Sequence, residues 1–216
     1  MHLSITVIII IITCLVSLGA FSNHKIVDDL IFYPPAISQR NQWYRFFTCG
    51  LIHADLAHLA FNMLSLYMFG EFVEEKFSSE VYAQNGRILY IVMYVAALFV
   101  CLLPTYFKHK NDSFYKSLGA SGAVSAVVFA GMLLEPRVRV GLFFIPPIIP
   151  GYIFGPLYLV ISTLLAKKGR DGINHSAHIW GAAFGLAFVI IACYILKTEY
   201  QPVQEFIEKV KSDFGN

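Results

Sequence analysis

The feature that most constrains this chain is a series of apolar runs long enough to cross a lipid bilayer. Residues Ser4–Phe21 hold no charged side chain, and a helix needs about 20 apolar residues to span the hydrocarbon core. Five further runs follow, at Leu56–Val73, Ile88–Phe107, Leu118–Leu134, Phe143–Ala166 and Ala177–Leu196. Only 14% of the chain is charged and 57% is hydrophobic, against about 25% charged in soluble domains. That deficit of charge fits a chain whose solvent is partly lipid. The expected fold is all-α: a polytopic membrane protein with a six-transmembrane-helix bundle over residues 1–196 and a polar tail at 197–216.

The first run invites a rival reading as a cleaved leader, because Ser17-Leu18-Gly19-Ala20 offers small residues after an apolar core. No Lys or Arg precedes that core, as a leader usually requires, so an uncleaved span is expected. Residues 22–55 form a long loop rich in aromatics, among them Phe32, Tyr33, Trp43 and Tyr44. Trp and Tyr favour the membrane–water boundary, so this loop is expected to lie partly in the interface. In the tail, Phe206, Ile207, Val210 and Phe214 recur at helical spacing, which fits an amphipathic surface helix or a solvated one.

Several function classes are excluded early. The net charge is +2 with scattered Lys and Arg, so the clustered basic face of a nucleic-acid binder is missing. Cys14, Cys49, Cys101 and Cys193 are far apart and form no zinc or redox spacing. With no metal-ligand cluster, no cofactor is expected, and activity should withstand chelators. With the N-terminus inside, seven Lys and Arg fall on the inner side and nine on the outer; the positive-inside rule mildly favours the opposite orientation.

Polar groups inside a span are costly and usually functional. The second span opens with His53, Asp55 and His58, and Asn62 lies four residues after His58, on the same helix face. The fourth opens Gly119-Ala120-Ser121-Gly122, and the sixth opens Asn174-His175-Ser176-Ala177-His178, followed by Gly181 and Gly185. Even-numbered spans run in the same direction, so these groups lie at similar depth below one face of the bilayer. Small residues on spans four and six let their backbones approach closely. Close approach would bring the Ser121 hydroxyl within about 3 Å of a His178 ring nitrogen. A serine is a weak nucleophile until a base takes its proton, and His178 can do so. Asn62, His58 and the Ser121 backbone N–H can supply donors for an oxyanion. Each feature alone has a bland reading: an intramembrane serine packs or bonds its own backbone, a histidine near a span end sits in the interface, and an asparagine glues helices. Their coincidence at one depth is what argues for chemistry.

At these residues the chain resembles the rhomboid intramembrane serine proteases. His53, His58 and Asn62 match the His-x4-His-x3-Asn pattern, Gly119–Gly122 the Gly-x-Ser-Gly pattern, and Ala177, His178, Gly181 and Gly185 the Ala-His-x2-Gly-x3-Gly pattern. Glu74, after Gly70, also fits. The resemblance implies a six-helix bundle of rhomboid type, Ser121 as nucleophile, His178 as its base, and an oxyanion hole of His58, Asn62 and Ser121. His53, Gly119, Gly122, Gly181 and Gly185 would support them. It further implies a water-filled cavity with the fifth helix as substrate gate, and a cell-membrane location with a cytoplasmic N-terminus. The expected partners are single-span membrane protein substrates and the lipid bilayer. One departure is visible: the family often has Trp-Arg in the first loop, whereas Arg45 here follows Tyr44, with Trp43 one place earlier.

Two other classes compete. A catalytically silent binder of membrane clients would need the fold but neither Ser121 nor His178. A proton or solute carrier would show internal repeats and helices broken at mid-membrane; no repeat is visible.

Overall fold

The computed structural model describes residues 3–142, 145–168 and 172–215. It opens with helix α1 (Ile5–Ser22), followed by three short helices, α2 (His24–Leu30), α3 (Pro34–Arg40) and α4 (Arg45–Thr48), and a 3-10 turn at Cys49–Leu51. Helix α5 (Leu56–Lys76) runs on through a π-turn to Val81. Then come α6 (Gly86–Val100), α7 (Leu103–His109), α8 (Ser121–Leu134), a hairpin of β1 (Arg139–Leu142) and β2 (Ile145–Pro150), α9 (Gly151–Lys168), α10 (His175–Ile195) and α11 (Pro202–Ser212).

The pattern of burial is that of a protein in lipid. Helix α1 buries Thr6, Thr13, Ser17 and Ala20 and exposes Ile8, Ile11, Ile12, Leu15 and Leu18. A soluble helix does the reverse; in lipid, small and weakly polar residues make the helix contacts. Four helical stretches, Ile5–Ser22, Leu56–Val81, Gly86–His109 and His175–Ile195, have the length and hydropathy to cross a bilayer. This is a multi-pass membrane protein with an α-helical bundle. Helix α8 has 14 residues, about 21 Å at 1.5 Å per residue, which is short of a hydrocarbon core of about 30 Å. It buries 12 of those residues, so it is the central helix, enclosed by its neighbours and apolar on all sides.

One expected span is revised and another is interrupted. The third lies within Gly86–His109, which keeps the length and hydropathy to cross a bilayer, with a turn where α6 ends at Val100 and α7 restarts at Leu103, and Pro104 in the first turn of α7. Proline fits a helix start but not an interior. The fifth, expected over Phe143–Ala166, begins at Gly151 instead, because Ile145–Pro150 pairs antiparallel with β1. Pro146, Pro147 and Pro150 in that stretch oppose helix. Phe143, Phe144, Arg170 and Asp171 lie outside the described residues.

The first loop is held by Arg45. Its guanidinium is buried and donates from Nη1 to the carbonyl oxygens of Asp28 (2.8 Å) and Ile31 (2.7 Å), and from Nε to Gln42 Oε1 (2.6 Å). Trp43 stacks on Phe46 at 5.8 Å. The displaced Trp and Arg therefore still anchor this loop. At the opposite end of the bundle, buried Glu74 of α5 accepts from the backbone N–H groups of Ile5 (2.9 Å) and Thr6 (3.0 Å) and from Arg87 Nε (3.0 Å). A carboxylate at the α1 N-terminus satisfies donors that have no partner within the helix and complements its dipole.

Helix α11 closes the chain against the end of α8. Lys209 Nζ donates to the Leu134 carbonyl (2.9 Å), and Arg137 donates to the Lys209 carbonyl (Nη2, 2.8 Å) and pairs with Asp213 (3.0 Å).

Candidate active site

The site is built at the first turns of α5, α8 and α10. Ser121 is the first residue of α8, and Gly119 just before it has φ +111°, a conformation that L side chains avoid. The space would also be wrong for a side chain, because a Cβ at Gly119 would lie 2.8 Å from His58 Cε1. The Gly119 N–H donates to the Cys49 carbonyl (2.9 Å), which ties the turn to the first loop.

Helix α10 reaches α8 through bare backbone. A Cβ at Gly181 would collide with the Gly122 carbonyl oxygen, and one at Gly185 with that of Ala126. On another side, a Cβ at Gly122 would come within 2.5 Å of Cys101 Sγ. These contacts leave no room for side chains and set the helix separation. The result is a His178 Nε2 to Ser121 Oγ distance of 2.7 Å, within the reach of proton transfer. Both residues are half-buried.

His53 is held in one tautomer by its partners. The Ser17 hydroxyl donates to the Leu51 carbonyl (2.8 Å), so it accepts from His53 Nδ1 (3.0 Å); that leaves His53 Nε2 to accept the Ala120 N–H (3.4 Å). His53 thus joins α1 to the residue before Ser121. Burial first, and His58 second, lower its pKa to about 4 against the opposing effect of Asp55, so it is neutral near pH 7. His58 Nδ1 accepts the Ala54 N–H (3.4 Å), which leaves its Nε2 as the donor, beside Gly119. The Asn62 amide donates to the His58 carbonyl one turn back (2.9 Å).

With these positions in place, the comparisons with known proteins decide the family. A model of the rhomboid domain matches residues 40–195. The chain belongs to the rhomboid family. It is 30% identical to RHOMBOID-like protein 12, mitochondrial, of Arabidopsis thaliana over 63% of the chain, and 27% identical to rhomboid protease AarA of Providencia stuartii over 74%. A mouse relative, presenilin-associated rhomboid-like protein, mitochondrial, is 24% identical over 74%. The chain spans 42%, 59% and 41% of the lengths of these relatives, respectively.

In this rhomboid Ser121 meets His178, His58 lies beside Gly119, His53 bonds Ala120, and Gly181 and Gly185 press on α8, whereas the bond of the Asn62 amide is to the His58 carbonyl of its own helix. Sequence reasoning missed three supports. Ser17 fixes His53 from α1. Asn174 caps α10, its Oδ1 accepting from the Ala177 N–H (3.1 Å). Buried Thr105 of α7 donates to the same oxygen (3.1 Å). An asparagine just before a helical run is an N-cap signal and could have been read; its tie to Thr105 is long-range and could not.

Proposed function

We propose that this rhomboid is an intramembrane serine endopeptidase that cleaves transmembrane segments of membrane proteins with a Ser121–His178 dyad. The observation that carries the reading is the 2.7 Å contact between His178 Nε2 and Ser121 Oγ. His178 takes the hydroxyl proton as Oγ attacks the scissile carbonyl, then gives it to the leaving amine. Water releases the acyl group by the same route. The oxyanion meets the Ser121 backbone N–H, with His58 Nε2 and Asn62 as further donors. Helix α8 has no side-chain N-cap, so its first-turn N–H groups are available to an anion. Relatives that are named proteases support the reaction class.

The substrates are single-span membrane proteins entering beside α9, and the protein acts in the cell membrane with its N-terminus on the cytoplasmic side. The test is cleavage of a single-span substrate in liposomes by wild type and by His178→Ala. Loss of cleavage in a folded variant is expected; cleavage at the wild-type rate would overturn the assignment of the base.

A further inference from the structure

The dyad has a neighbour on a third helix that the reaction as described does not use. Tyr158 of α9 stacks on the His178 imidazole, with ring centroids 6.4 Å apart and planes 24° apart, within the range of offset aromatic pairs. Its hydroxyl lies 3.3 Å from Ser125 Oγ. Ser125 is buried in α8, one helical turn after Ser121. The ring is also fixed from other sides, by Phe154 on its own helix at 5.9 Å and by Phe129 of α8 at 5.8 Å. Tyr158 is therefore held by α8 at its tip and presents its face to the base on α10.

Such an arrangement does something for a base that works in a half-buried site. An imidazole can rotate about its side-chain torsions, and only a narrow set of orientations keeps Nε2 on the serine oxygen. A flat ring against one face removes many of the others. Ser125 is the natural anchor, since it moves with Ser121 on the same rigid helix.

Taking the Ser121–His178 reading as given, we propose that Tyr158 is a positioning residue for His178: its ring, stacked on the imidazole and tethered through its hydroxyl to Ser125, holds the base on Ser121 Oγ.

The test is the rate at which purified full-length protein in detergent reacts with a small fluorophosphonate, a probe that reports serine nucleophilicity without a transmembrane substrate. Wild type, Tyr158→Phe, Tyr158→Leu and Ser121→Ala are compared, with thermal unfolding to confirm that each is folded. Tyr158→Leu fills similar apolar space without a ring, and its labelling rate is expected to fall about two- to tenfold. Tyr158→Phe keeps the ring and loses only the Ser125 tether, so its rate is expected to lie between those of wild type and Tyr158→Leu. A general packing role would not separate Phe from Leu in this way. Tyr158→Leu labelling like wild type, or Phe and Leu falling together, would overturn the positioning role. Labelling that survives Ser121→Ala would instead overturn the dyad, and this inference with it.

Discussion

Gly181 of α10 faces Gly122 of α8 so closely that a single added methyl would strike the Gly122 carbonyl oxygen. That contact sets how far His178 stands from Ser121, three residues before Gly181 and one before Gly122. Gly181→Ala must push the helices apart, and overpacking of this kind costs about 1–3 kcal/mol. Expected outcomes are a lower unfolding temperature and at least a tenfold loss of cleavage, read by thermal unfolding and a peptidase assay on the same preparation. Wild-type activity in Gly181→Ala would show that the helix separation does not govern the dyad.

His53 gives a prediction with a pH signature. Its pKa falls from 6.5 to about 4 on folding, so between these values the unfolded chain binds more protons than the folded one. Stability contributed by neutral His53 is thus fully present above about pH 6.5 and diminishes as pH drops toward about 4. His53→Ala also leaves the Ala120 N–H without its acceptor, at about 1–3 kcal/mol. The stability gap between wild type and His53→Ala should narrow from pH 7 to pH 4 in denaturant titrations; a constant gap contradicts the lowered pKa of folded His53.

The α10 cap separates folding from chemistry by degree. Asn174→Ala removes the acceptor for both the Ala177 N–H and Thr105, and loss of an N-cap costs about 0.5–2 kcal/mol. Since the capped turn carries His178, kcat is expected to fall with KM little changed. Thr105→Val should show a smaller effect in the same direction. A KM effect alone would place Asn174 in substrate binding.

At the far end of the bundle, Glu74→Gln tests stability without chemistry. It weakens charge-assisted bonds to the α1 N-terminus and to Arg87, worth about 1–3 kcal/mol. The unfolding temperature should drop while kcat per folded molecule stays within about twofold. A large loss of kcat would reveal coupling along α5.

Much of this was legible in the sequence because the membrane makes polarity rare. Ser121, His178, His58 and Asn62 stood out as polar groups at the starts of apolar runs, and alternation of spans put them at one depth. The membrane character of α1 was legible from an apolar run without charge. The hairpin before α9 was not, because a short apolar run reads equally as strand or buried helix, although its three prolines marked the helix boundary. Ser17, Thr105 and Tyr158 were invisible for a different reason. Each meets its partner from a distant helix, and no local spacing encodes that meeting.

The central claim is that Ser121 is a nucleophile activated by His178. The most direct measurement is cleavage of a single-span substrate by purified wild type and by Ser121→Ala, both shown to be folded. The account predicts cleavage by wild type alone. Equal cleavage by both would contradict it, as would client binding by both with cleavage by neither, which is the behaviour of a silent binder.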